Sequence, residues 1–185
     1  MPDNYLANSA YSSAGHFATR TDFEVQRTNH FEIVIDLESL NPPLRGLYEH
    51  IRLSTKSISA PKVTAEAIEL KHGNDKVKVA AAPSYDDLTL TVYDTLGKDE
   101  IDVMQQWFNR VFDWNTKLMG MVSSYKTTAT LYMFSPDGKV CRKWILEGVW
   151  PKEFGVASDF SFDTAEAQNV TVTLSVDRYH EETFS

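Results

Sequence analysis

The side chains that could do chemistry are few and poorly placed for it. The five histidines, His16, His30, His50, His72 and His180, never stand at H-x-H or H-x-x-x-H spacing, so neither a strand nor a helix brings two of them to one face as a metal site requires. Cys141, the only cysteine, sits beside Arg142 and Lys143, and cations next to a thiol favour the nucleophilic thiolate. Strand alternation turns the adjacent Arg142 away from the thiol, which favours a structural cysteine. Asp86 and Asp87 follow Tyr85 in "YDD". Adjacent strand residues face opposite ways, so these two acids cannot flank one scissile bond; capping a turn at the start of a strand suits them better. Phosphate-binding loops, dinucleotide fingerprints and nucleophile elbows are all missing. The sequence therefore predicts no catalytic residue, no cofactor and no metal.

Bulk properties narrow the alternatives. The chain has 185 residues, enough for one domain with a sizeable core. It carries 26 acidic and 18 basic residues for a net charge of −8, which argues against a nucleic-acid groove or an anionic membrane surface as its partner. A single cysteine rules out an internal disulfide framework. The opening "MPDNYLANSAYSS" has neither the basic nor the apolar region of a signal peptide, and no apolar run approaches the roughly 20 residues that span a bilayer.

The elements follow from periodicity. Residues 1–28 are rich in Ser, Ala, Asn and Thr and are expected to form an arm. Its aromatics, Tyr5, Tyr11, Phe17 and Phe23, point to docking on something such as a neighbouring subunit. A β domain is expected over 29–185. "HFEIVIDLE" alternates Phe31, Ile33, Ile35 and Leu37 against Glu32, Val34, Asp36 and Glu38. "YEHIRLSTKSIS" reads as a second strand. "TAEAIEL" and "DKVKVAA" flank "KHGND", whose Gly-Asn pair suits a hairpin turn. "DLTLTVYD", "YKTTATLYMF", "VCRKWILEGVW", "FGVASDFSFD" and "NVTVTLSVDRY" supply further strands. One amphipathic helix is expected at about 99–116, with Ile101, Met104, Phe108 and Val111 on its apolar stripe, widened by Trp107 and Phe112. The fold class is mainly β: an antiparallel sandwich or barrel with one flanking helix.

Two features ask for more than a fold. Thr and Ser form rows opposite the apolar rows at 89 and 91, 126–130 and 171–175. They read equally as solvated sheet faces or as the lining of a wet channel. A strand ending on Trp150-Pro151 is expected to place a flat side chain over one end of the core, since Pro151 cannot extend a ladder and holds Trp150 extended.

In their order and spacing, "NHFEIVID", "SYDDLTLTVYD", "GVWP" and "NVTVTLSVDRYHE" resemble the tail tube proteins of contractile-tailed bacteriophages, over about residues 29–181. The resemblance implies six-membered rings in which neighbouring sheets join into a continuous inner β-barrel, stacked into a hollow tube. It implies a tail sheath protein outside, baseplate and tail-terminator proteins at the ends, and DNA passing through the lumen without specific binding. The protein would be a virion tail component, assembled in the host cytoplasm, with no membrane partner. A tube-initiator protein at the baseplate and the tube of a phage-derived injection system are related readings. A lipocalin-like ligand-binding barrel is the reading from another class. Carried over by position, the family's extended hairpin falls on about residues 64–83 and reaches the next ring or subunit. Its Ile68, Leu70, Val77 and Val79 would bury little in a lone domain and need a partner. Tyr85, Asp86 and Asp87, with Trp150 and Pro151, are its structural motifs.

Overall fold

A computed structural model describes residues 26–44, 48–95, 100–156, 163 and 167–183. The N-terminal arm lies almost wholly outside the described residues, as does much of "FGVASDFSFD".

Nine strands and three helices follow in chain order among the described residues: β1 (Phe31–Ile35), α1 (Tyr48–Ser54), β2 (Thr55–Ile58), β3 (Val63–His72), β4 (Asp75–Tyr85), β5 (Leu88–Tyr93), α2 (Glu100–Asn109), α3 (Val122–Tyr125), β6 (Thr127–Phe134), β7 (Val140–Val156), β8 (Asn169–Ser175) and β9 (Arg178–Thr183). All ladders are antiparallel. The first half of β7 pairs with β6 and β9, and β6 also pairs with β1. The second half of β7 pairs with β8, which continues to β5 and β2. The body is thus two packed layers that share one strand.

Two bulges let β7 change layers. Thr127 faces Val149 while Thr128 faces Glu147, so Gly148 is an extra residue on β7. Pro151 faces Leu174 while Glu153 faces Thr173, so Lys152 is a second. Each extra residue bends and twists its strand, and strands switch sheets at such bends. Gly148 has φ +69°, and a Cβ there would lie 2.1 Å from Asp177 Oδ2. A side chain would meet both left-handed strain of about 1–2 kcal/mol and a displaced carboxylate that now accepts from Lys126 Nζ at 2.6 Å. Gly148→Ala is therefore expected to cost about 2 kcal/mol or more, seen as a melting temperature lower by roughly 4 °C or more. An unshifted melt would show that the turn does not depend on this residue.

The core lies between the layers. Ile33 and Ile35 of β1, Leu131 of β6 and Leu146 of β7 meet Leu88, Leu90 and Val92 of β5 and Val170, Val172 and Leu174 of β8 in one buried cluster. The alternation in the sequence places these strand faces correctly. Met104 and Trp107 of α2, both 0% exposed, close the cluster from one side.

The structure corrects three expectations. "YEHIRLS" is helical, and only "TKSI" is strand. Ile51 and Ser54, three apart, are buried while Leu53 is exposed, which is helical phase and not alternation. α2 is shorter than 99–116, because Asp113 accepts from the Asn115 backbone N–H at 2.9 Å and from Thr116 Oγ1 at 2.8 Å, a side-chain turn that competes with helix. Strand β7 does not stop at Trp150-Pro151 but runs on to Val156. Its second half has a ladder partner on one side only among the described residues, and an edge strand tolerates a proline with no N–H.

Candidate assembly site

Strands β3 and β4 form a hairpin that pairs with no other strand among the described residues. Its two-residue loop is Gly73-Asn74, between the facing pair His72 and Asp75, and Gly73 takes the positive φ, +63°, that such a loop needs. Every β3 residue is exposed, as are nearly all of β4. The register sets Ile68 opposite Val79 and Leu70 opposite Val77, so the four share one face. Glu69 faces Lys78, and Lys71 faces Lys76, on the other. Glu69 accepts from Lys76 Nζ at 3.0 Å and lies 3.9 Å from Lys78 Nζ. One face of this arm is charged and internally paired. The other is apolar and bare: Ile68, Leu70, Val77 and Val79 are 49%, 51%, 51% and 40% exposed.

The aromatic-Asp-Asp motif anchors the arm to the body. Tyr85 packs edge-on against Tyr179 of β9, ring centroids 5.2 Å apart. The Asp86 backbone N–H donates to the Lys62 carbonyl at 3.0 Å, and its carboxylate lies 3.6 Å from Lys62 Nζ. Asp87 accepts from Lys152 Nζ at 2.7 Å, and that hydrogen bond raises the lysine's pKa above its ordinary value. The two acids serve different lysines, one at each side of the β4–β5 corner, which agrees with their facing apart. Lys152 was not legible from the sequence: it reaches Asp87 as the extra residue of the second bulge.

Trp150 is half-buried, not a lid on the core. It packs edge-on against Tyr125, centroids 5.9 Å apart, and shares the outer sheet face with its cross-strand partner Ser175. Trp107 holds the position expected of it: its indole N–H donates to the Tyr125 carbonyl at 2.8 Å from a fully buried site. The helical spacing 103, 104, 107, 111 was the available signal, one residue off the stripe read from sequence.

The hydroxyl rows divide. Thr89 faces Thr173 and Thr91 faces Thr171 across β5 and β8, giving a short-side-chain patch on the outer face of one layer. Thr127 leaves its row; it is buried and within hydrogen-bond distance, 2.9 Å, of Ser39 Oγ. Cys141 is half-buried, its thiol donating to the Met133 carbonyl at 3.2 Å, as a structural cysteine does. Among the described residues, no group of three or more His, Cys, Asp and Glu gathers as a metal site would, and no helix is long and apolar enough to cross a membrane.

A two-layer β body with a projecting hairpin is the fold of proteins from contractile injection particles. The chain superposes with a TM-score of 0.65 on a chain of the anti-feeding prophage cap at 17% identity, covering 87% of this chain and 93% of that one. It superposes at 0.63 on a chain of the PVC sheath-tube complex in the extended state, at 16% identity, covering 93% and 99%. Sequence adds the family. The profile of the T4-like virus tail tube protein gp19 family matches residues 27–180, and the chain belongs to that family. Tail tube protein gp19 of Enterobacteria phage T4 is 26% identical over 133 residues, 71% of this chain and 82% of that one; the phage T6 protein is 24% identical over the same length. The resemblance drawn from short β motifs is borne out. The protein is a structural tail tube protein of a contractile phage tail, located in the virion.

Proposed function

We propose that the chain closes into six-membered rings whose sheets join into one inner barrel, and that rings stack through the β3–β4 arm into a hollow tube. Sheath protein surrounds this tube, baseplate and terminator proteins hold its ends, and DNA passes through it. The observation that carries the reading is the bare apolar face of Ile68, Leu70, Val77 and Val79 on an arm that its own body leaves uncovered. Ladder edges support it. β1, β9, β2 and the second half of β7 each pair on one side only among the described residues, and joining subunits edge to edge removes the strand edges that would otherwise aggregate. The net charge of −8 per chain repels phosphates, so DNA slides where a basic wall would hold it. The Thr89, Thr91, Thr171 and Thr173 patch suits such a wall, being short and uncharged.

Negative-stain imaging of the purified protein tests the reading. Rings with six-fold symmetry, and tubes of stacked rings at higher concentration, are the expected result. A protein that stays monomeric at every concentration would remove it.

A further inference from the structure

The residues just before Gln26, the first described residue, carry a strand pattern of their own. In "FATRTDFEV", residues 17–25, Phe17, Thr19, Thr21, Phe23 and Val25 alternate with Ala18, Arg20, Asp22 and Glu24. An extended chain puts the first set on one side and every charge of the stretch on the other. The aromatics Tyr5, Tyr11, Phe17 and Phe23 stand six residues apart throughout. Six is even, so the extended form also gathers all four on the uncharged side, whereas a helix would spread them around its circumference. A groove of about 650 Å³ lies between β2 and the β1–β6 edge, with Phe31, Ile58, Met133 and Trp144 as its apolar floor. We propose that residues 17–25 lie extended in this groove of their own chain, with Phe23 and Val25 on the floor and Arg20, Asp22 and Glu24 toward water. Such docking occurs within one subunit, so it holds whether or not rings form.

Three observations choose this occupant. The first is where the segment ends. Thr28 and Asn29 line the groove and form a turn there, so the residues before them are delivered at its mouth. Only Gln26 and Arg27 separate Val25 from that lining, and so short a tether gives a high effective concentration. A segment from a second copy would reach the same floor only at the cost of association. The second is that this end is fastened to the body. The Gln26 side-chain amide donates to the Phe134 carbonyl at 2.6 Å, next to Met133 of the floor, and its oxygen lies 3.5 Å from the Cys141 sulfur. The third is chemistry. Phe31, Ile58, Met133 and Trp144 are all half-buried, so a covering segment removes apolar surface from water. Aromatic rings suit them, edge-on against Phe31 and Trp144 and in sulfur contact with Met133.

Disulfide trapping in the full chain tests the assignment, with Cys141→Ser as background and the protein kept dilute. Thr21→Cys or Val25→Cys, which leave Phe23 in place, is combined in one chain with Ser57→Cys or Ala60→Cys from the groove lining, and the chain is oxidised. A disulfide requires Cα atoms within about 7 Å. A seated segment therefore closes at least one of these pairings within the chain, seen as a faster band at monomer mass on a non-reducing gel and as a linked peptide by mass spectrometry. Asp22→Cys and Glu24→Cys, on the charged side, are expected to lose the link. If no pairing closes, or if the charged-side cysteines link as readily, the segment does not sit in the groove and the proposal is overturned. Links found only between chains give the groove to a second copy's segment and overturn the own-chain assignment. None of these outcomes bears on the ring reading, which imaging decides separately.

Discussion

Chains in which residues 66–81 are replaced by a short Gly-Ser turn will fold and will build no tubes. The cut removes the exposed part of β3 and β4 but keeps the base of the hairpin. Ala65 still faces Pro83, and Val63 faces Tyr85. The Lys62–Asp86 contact and the Tyr85–Tyr179 ring pair also lie outside the excised segment. No residue of the buried cluster falls within it, so the body loses none of its core. What disappears is the apolar face of Ile68, Leu70, Val77 and Val79, and with it the contact proposed to join one subunit to the next. Circular dichroism and a thermal melt report the first half of the expectation, electron microscopy the second. Normal-length tubes from the shortened chain would sink the role given to the arm. An unfolded product would show that the arm contributes to the body after all.

The second large effect separates two tryptophans. Trp107→Ala is expected to destabilise the fold by about 3–5 kcal/mol, the usual cost of emptying a large aromatic site in a core. The side chain is 0% exposed, and its loss also strips the Tyr125 carbonyl of the indole donor at 2.8 Å. Trp150→Ala is expected to cost less, about 1–2 kcal/mol, because the side chain is only partly buried and less apolar surface is lost. For a chain of this size the melting temperature should fall by roughly 10 °C in the first case and roughly 4 °C in the second. Equal shifts, or a larger one for Trp150, would contradict the assignment of Trp107 as the residue that closes the core.

How much of this was legible depended on whether a residue's partner is set by alternation or by a bend. Ile33, Ile35, Leu88, Leu90, Val172 and Leu174 are buried where period-two reading puts them, because a strand with one buried face fixes its own phase. The Gly-Asn hairpin and the bare arm were likewise readable, since a two-residue loop sets the register of all that follows it. The Trp150-Pro151 corner was misread. A proline argues for a strand end only when the strand is central, and the sequence does not say that the second half of β7 is an edge. Gly148 within an apolar run was a usable hint of a bulge, but its tie to Asp177, and that of Lys152 to Asp87, arise from tertiary packing. The "YEHIRLS" helix was lost because Ile51 and Ser54, the buried residues among those described in it, make too short a helical pattern to stand out from alternation.

The passage of β7 through both layers has a mechanical consequence. Layers held only by side-chain packing can slide when they are sheared. Here a continuous covalent backbone of 17 residues runs from one layer into the other, zipped to β6 and β9 at one end and to β8 at the other. Any force that drags one layer past the other loads several hydrogen-bonded ladders at once, in parallel. A subunit wired in this way gives way in shear only when whole ladders break together, so its two layers move as one body.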